Sequence, residues 1–286
     1  SQEYRNAIDV MTTETTCLSS IWETDEKTEQ YFNQHGRKDA YRCLKVNDGT
    51  YYDRCIDLDL GEVECMIALP MHPSLALPIN TFKKDPKKYL KEAEDHANAQ
   101  LAHKNMDLVS KVKEDGTVVV NQGVIAGCSG GTYGNIMAAS AILNDGDCGN
   151  GEFRLSIYPD SMPVYKALVE NGTVASLIST GAIFREAFCG PCFGAGDTPA
   201  NNELSIRHTT RNFPNREGSK PNEGQIASVC LMDARSIAAT SRNQGVLTAA
   251  SDICHEDEKD YMCPFDASLY EKRVFNGYGK EDPDYP

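Results

Sequence analysis

No run of apolar residues in this sequence reaches ten, whereas a helix that crosses a bilayer needs about 20, so no transmembrane helix is expected. The opening residues, SQEYRNAIDV, carry neither the basic start nor the apolar block of a secretory signal, and no initiator Met; a processed or truncated chain is expected. Positive charge is short: 28 Lys and Arg face 42 Asp and Glu, for a net charge of −14. Neutralising phosphates takes clustered cations, so this balance argues against nucleic acid as the main partner. The 11 cysteines are odd in number and lack the short regular spacings of a secreted disulfide scaffold. They imply a reducing, cytoplasmic setting in which thiols stay free or bind metal. G-x-G-x-x-G and P-loop patterns are missing as well, so a phosphate cradle is not expected.

What is there suits a globular protein. With 286 residues, 40% hydrophobic and 24% charged, the chain can form one large or two smaller domains. Residues 7–22 read as a Thr-rich helical segment, and TDEKTEQYFNQHG as a short helix capped by Thr24 and stopped by Gly36. YYDRCIDLDL (51–60) alternates as a strand, with Tyr52, Cys55 or Ile56, Leu58 and Leu60 facing inward. ALPMHPSLALP (68–78) is a proline-punctuated crossing and the place for a domain boundary. Residues 85–113 then form a long charged amphipathic helix with room for one break.

From residue 117 strands alternate with helices. TVVVNQGVIAG, FRLSIYP, AIFREAF and ELSIRHTT read as strands; GNIMAASAIL, MPVYKALVENG, TVASLISTG and GQIASVCLMDARSIAATSR (224–242) read as helices. The expected fold is α/β: a three-layer α/β/α arrangement with a mostly parallel sheet and ligands at the carboxyl ends of its strands. The tail YGKEDPDYP reads as a solvated linker.

The chemistry concentrates at FCGPCFG (188–194). CGPC is compatible with a redox dithiol, with zinc or with part of an iron–sulfur cluster. A redox pair wants its first thiol at a helix N-terminus, yet FGAGDTPANNE is a poor helix. Cys128 supplies a third thiol, in the glycine-rich turn GCSGGTYGN between a strand and a helix, where the helix dipole would favour the thiolate. Three cysteines without an evident fourth suit a [4Fe–4S] cluster with one open iron; zinc with His208 or His255 is the competitor. Cys254 and Cys263 form a minor candidate pair. Arg211 and Arg216, in TTRNFPNREGSK, are of the type that grips carboxylates bidentately.

These segments resemble the aconitase superfamily of hydro-lyases. GCSGGTYGN is similar to that family's first cluster-cysteine turn, CGPC to its second and third ligands, and RNFPNREGS to its substrate-binding segment. MTTETTCLSSIW resembles the segment that carries an active-site glutamate, here Glu14. The resemblance runs from about residue 7 to about residue 255. It departs at Val10 and Thr210, each in place of a usual asparagine, and at C-S-G-G in place of C-T-N-S. It implies a [4Fe–4S] cluster on Cys128, Cys189 and Cys192, carboxylate binding by Arg211 and Arg216, and a hydroxy di- or tricarboxylic acid as substrate. Residues 1–70 would be the end of a preceding domain and residues 71–286 the cluster-bearing third domain with a linker. The family's N-terminal domain and mobile C-terminal domain would be the missing partners, and the chain alone would be inactive. Two rivals stand beside this reading: an iron-responsive RNA-binding member of the superfamily, and a CGPC dithiol oxidoreductase.

Overall fold

The computed structural model describes residues 1–102, 105–144, 146–148, 151–216, 218–220, 224–253 and 259–273. Cys254, His255 and the tail from residue 278 lie outside the described residues. The chain starts as helix α1 (Gln2–Thr12), which runs into a 3-10 turn at Thr13–Thr15. Helix α2 (Glu26–Gln34) is capped by Asp25 rather than Thr24, the carboxylate accepting from the amides of Lys27 and Thr28. Those amides have no partner inside the helix, which is why an acceptor at this position fixes the start. Arg5 Nη1 donates to the same carboxylate at 3.0 Å and ties α1 to α2, holding Asp25 below the usual carboxylate range.

Residues 51–60 form no strand. Tyr52, Cys55, Ile56, Leu58 and Leu60 are all exposed, Ile56 at 92%. Alternation gives such a segment one apolar face, but a strand also needs a neighbour for its backbone and a surface for that face. Among the described residues it has neither.

The proline-punctuated crossing is a hairpin of the main sheet. Strands β1 (Met66–Ala68) and β2 (Ala76–Pro78) pair antiparallel across it. β2 is the edge strand, so the amide that Pro78 lacks is one the ladder does not need. Helices α3 (Ile79–Phe82) and α4 (Pro86–Gln100) follow, and the long charged run stops at Gln100. Beyond it come β3 (Gln122–Ile125), the single turn α5 (Gly127–Gly130), α6 (Tyr133–Leu143), β4 (Arg154–Ile157), α7 (Met162–Glu170), α8 (Thr173–Ser179), β5 (Ile183–Phe184) and β6 (Glu203–His208). Residues 224–242 are not one helix. They split into β7 (Ala227–Met232) and α9 (Ala234–Arg242) at Asp233, whose side chain accepts from the Ser236 amide.

The sheet order is β2-β1-β7-β6-β3-β4-β5. β5, β4, β3, β6 and β7 are mutually parallel, while β1 runs antiparallel to both its neighbours. The fold is therefore α/β with a mostly parallel sheet, as expected. One face presents Ile125, Leu155, Ile157, Ile206 and Cys230 to the main core, shared with Ile136, Ile237 and Leu168 from helices. The opposite face carries Gln122, Val124, Ser156, Ser205 and Arg207, all buried, since successive side chains of a strand alternate. The loop after β5 bonds to this second face.

Candidate functional site

Carboxyl ends of parallel strands share one edge, and the connecting turns gather there. The turn after β3 is pinned first: the Ala126 amide donates to the His208 carbonyl at 3.1 Å, joining the ends of β3 and β6. Gly127 then takes φ +75, and a Cβ placed on it would stand 2.9 Å from Cys192 Sγ. At Gly130 a Cβ would fall 2.0 Å from the His208 carbonyl oxygen. Glycine at these two positions lets the turn wedge between its neighbours and brings Cys128 beside the CGPC loop.

CGPC itself is a 3-10 turn, Gly190–Cys192, with no α-helix after it. A redox dithiol therefore lacks the helix N-terminus that would activate it. Cys192 is buried and Cys189 exposed. The Thr210 amide and the Cys189 thiol both lie against the Cys192 thiol, and Cys128 is close enough to act on it electrostatically. Burial, ahead of these neighbours, pushes Cys192 up to about 11. Cys128 is exposed as a residue, yet the protein around its thiol raises it, through lost solvation first and Cys189 second. The expectation that a helix dipole favours the Cys128 thiolate is thus corrected: α5 is one turn long, and lost solvation outweighs it.

Glu14 and Arg211, 197 residues apart in sequence, meet at the same edge. Arg211 Nε donates to Glu14 Oε1 at 2.6 Å, with the Glu14 side chain 11% exposed. Nη1 and Nη2 of Arg211 carry no hydrogen bond to the described residues, so two donors remain for a carboxylate. Asn212 locks this segment to the β1–β2 hairpin: Nδ2 donates to the Leu69 carbonyl at 2.7 Å, and the Met71 amide donates to the Asn212 carbonyl at 3.0 Å. Arg216 is exposed, and its carbonyl lies 3.2 Å from where a Cβ on Gly194 would be, so its backbone runs alongside the CGPC loop.

Among the described residues no three His, Cys, Asp or Glu side chains form a group that could hold a metal ion. Cys128, Cys189 and Cys192 are included in that absence. His208 is committed elsewhere, Nδ1 accepting from the Ala234 amide at 3.1 Å, with burial lowering it to about 4. A cubane cluster spreads its thiolates more widely than a single ion does. Three thiols close enough to act on one another electrostatically, two of them costly to ionise without a cation, are compatible with such a group. Next to Cys128, the buried Ser129 hydroxyl has no hydrogen-bond partner among the described residues, which leaves a donor available to an inorganic sulfide.

Sequence reasoning passed over Arg207, Asp197 and Tyr158. Arg207 is 1% exposed; Ser156 Oγ donates to Asp197 Oδ1 at 2.9 Å, and the Tyr158 hydroxyl donates to Oδ2. The available signal was an arginine in the middle of the apolar strand LSIRH.

One edge of the α/β sheet thus gathers the Cys128 turn, the CGPC loop and the Glu14–Arg211 pair. The model of the aconitase family (aconitate hydratase) matches residues 1–239, and the chain belongs to that family. It is similar to the 3-isopropylmalate dehydratase large subunit of Moorella thermoacetica, 27% identical over 254 residues, covering 88% of this chain and 51% of that protein. The large subunits of that name from Clostridium kluyveri (25% over 238 residues; 83% and 48%) and Helicobacter hepaticus (26% over 244 residues; 85% and 48%) are similar too. The chain spans about half the length of the curated relatives it matches.

Proposed function

We propose that this chain is the cluster-carrying part of an aconitase-type hydro-lyase that dehydrates and rehydrates a hydroxy di- or tricarboxylic acid. The relatives' printed name favours a substrate of the 3-isopropylmalate kind. Cys128, Cys189 and Cys192 would hold a [4Fe–4S] cluster. When bound, a cluster with one open iron supplies a Lewis acid for a hydroxyl and a carboxylate. Arg211 offers Nη1 and Nη2 to a substrate carboxylate, and Arg216 a second cation in the same segment. Glu14 orients Arg211 through Nε and stands ready to manage the proton of the departing hydroxyl. The base that takes the carbon-bound proton belongs to a domain outside residues 1–286. In this reading residues 1–70 end a preceding domain, with β1 laid on the sheet, and residues 71–286 are the third. The setting is cytoplasmic, and the missing domains of the parent are its partners.

The observation that carries the reading is the approach of the Cys128 turn to Cys192, marked by the 2.9 Å between a Gly127 Cβ and Cys192 Sγ. The RNA-binding rival is opposed by the net charge of −14. The test is anaerobic reconstitution with iron and sulfide. Wild type should take up about four irons, and Cys128→Ser, Cys189→Ser or Cys192→Ser should abolish stoichiometric uptake. Equal uptake by the triple variant would overturn the assignment.

A further inference from the structure

The loop that carries two of the proposed cluster cysteines is held from beneath by buried side chains, Arg207 foremost. Arg207 lies on β6, on the sheet face opposite the main core, and its guanidinium bonds to both sides of that loop. Nη1 donates to the Pro191 carbonyl at 2.8 Å, between Cys189 and Cys192. Nη2 donates to the Asp197 carbonyl at 2.6 Å, where the loop turns back toward β6. Two further donations go to the sheet: Nε to Ser205 Oγ at 3.1 Å and Nη2 to Gln122 Oε1 at 3.1 Å. Gln122 is aligned in turn, accepting from Ser205 Oγ at 2.7 Å and donating Nε2 to the Asp197 carbonyl at 3.0 Å. The Asp197 side chain is held by Ser156 and Tyr158, and burial with this carboxylate contact pushes the Tyr158 hydroxyl up to about 12.

We infer that Arg207 is a positioning residue, a fork that fixes the Pro191–Asp197 loop and thereby sets Cys189 and Cys192 for metal. Burying a guanidinium is expensive unless its donors are satisfied. Here the Pro191 and Asp197 carbonyls take two of its hydrogen bonds, so loss of this loop shape would strip the buried cation of both. Lysine carries the charge but cannot span two carbonyls with a planar fork. The inference rests on the cluster reading for its purpose, although the clamp can be tested without metal.

The experiment compares wild type, Arg207→Lys and Arg207→Met in two arms. In the metal-free chain, amide exchange of Cys192, Phe193 and Ala195 is followed beside the melting temperature. These amides bond within the loop, to Cys189 and Gly190 carbonyls. Both variants should exchange there at least about 10-fold faster, while Arg207→Lys keeps the global transition and the exchange of β3 and β6. In the second arm, iron-and-sulfide-loaded chains are challenged with a chelator, and both variants should lose iron about 10-fold faster. Unchanged loop exchange in Arg207→Lys overturns the clamp, as does full restoration of both readouts by lysine. If Arg207→Met does not fold, the lysine variant alone decides. If wild type takes up no iron and sulfide, the cluster reading falls while the exchange arm still judges the clamp.

Discussion

At the scale of single residues, His208 shows how burial sets a protonation state. Desolvation lowers it to about 4, opposed by Asp233 and assisted by Arg235. An unfolded chain protonates histidine near 6.5, so between about 6.5 and 4 the unfolded state binds more protons. Stability contributed by the neutral ring is complete above about 6.5, falls as pH drops, and is gone below about 4; its ceiling is on the order of 3 kcal/mol. Asparagine can keep an acceptor for the Ala234 amide and does not titrate. Urea unfolding of His208→Asn should therefore lose less stability than wild type between pH 7 and 4.5, and parallel profiles would acquit His208. The cysteines were legible in the sequence because three thiols in two motifs are rare and chemically narrow. Arg207 was not, since a lone arginine in a strand says nothing of which carbonyls a distant loop will bring to it.

Elements were legible where local rules and tertiary packing agreed. Strands β3, β4 and β6, with helices α6, α7 and α8, sit where apolar runs and their spacing put them. The segment 224–242 misled because a short continuous apolar run suits a buried strand as well as a helix. Its strand character comes from pairing with β6, which no local pattern announces. The real helix starts at Asp233, whose carboxylate accepts from the Ser236 amide at 2.8 Å. Asp233→Ala should cost roughly 1 kcal/mol in denaturant unfolding, and Asp233→Asn should recover most of it. Equal losses for both variants would assign the effect to charge rather than to the cap. The 51–60 segment failed for the opposite reason: its alternation is sound, but neither a pairing strand nor a cover stands among the described residues.

At the scale of the whole molecule, the most exposed large apolar side chains among the described residues lie between residues 18 and 60. Leu18 is 102% exposed, Ile21 79%, Ile56 92%, Leu58 66% and Leu60 67%. Exposure on that scale leaves these side chains little packing to lose. Burial is what makes such residues matter for stability, so Ile56→Ser, Leu58→Ser and Leu60→Ser together should leave the unfolding free energy of this chain within about 0.5 kcal/mol each. A cooperative loss of several kcal/mol would mean that residues 56–60 are already packed in solution.

The same openness bears on the proposed cluster. Cys189 and Arg216 are exposed, and Arg211 is about one-third exposed at 32%. In the proposed parent, the absent domains would roof this edge and exclude water and oxygen from it. Without them, a cluster held here meets solvent through the side that carries no thiol, and solvent exposure is one of the factors that sets cluster chemistry. Chain purified in air should therefore hold well under the about four irons expected of a complete cubane, whereas anaerobic reconstitution should restore them, with visible absorption that fades on exposure to air. The iron-to-sulfide ratio should drift from unity as the cluster breaks down. A chain that retains a full complement of iron and sulfide after hours in air would show that this edge is already closed, and that the missing domains are not what protects it.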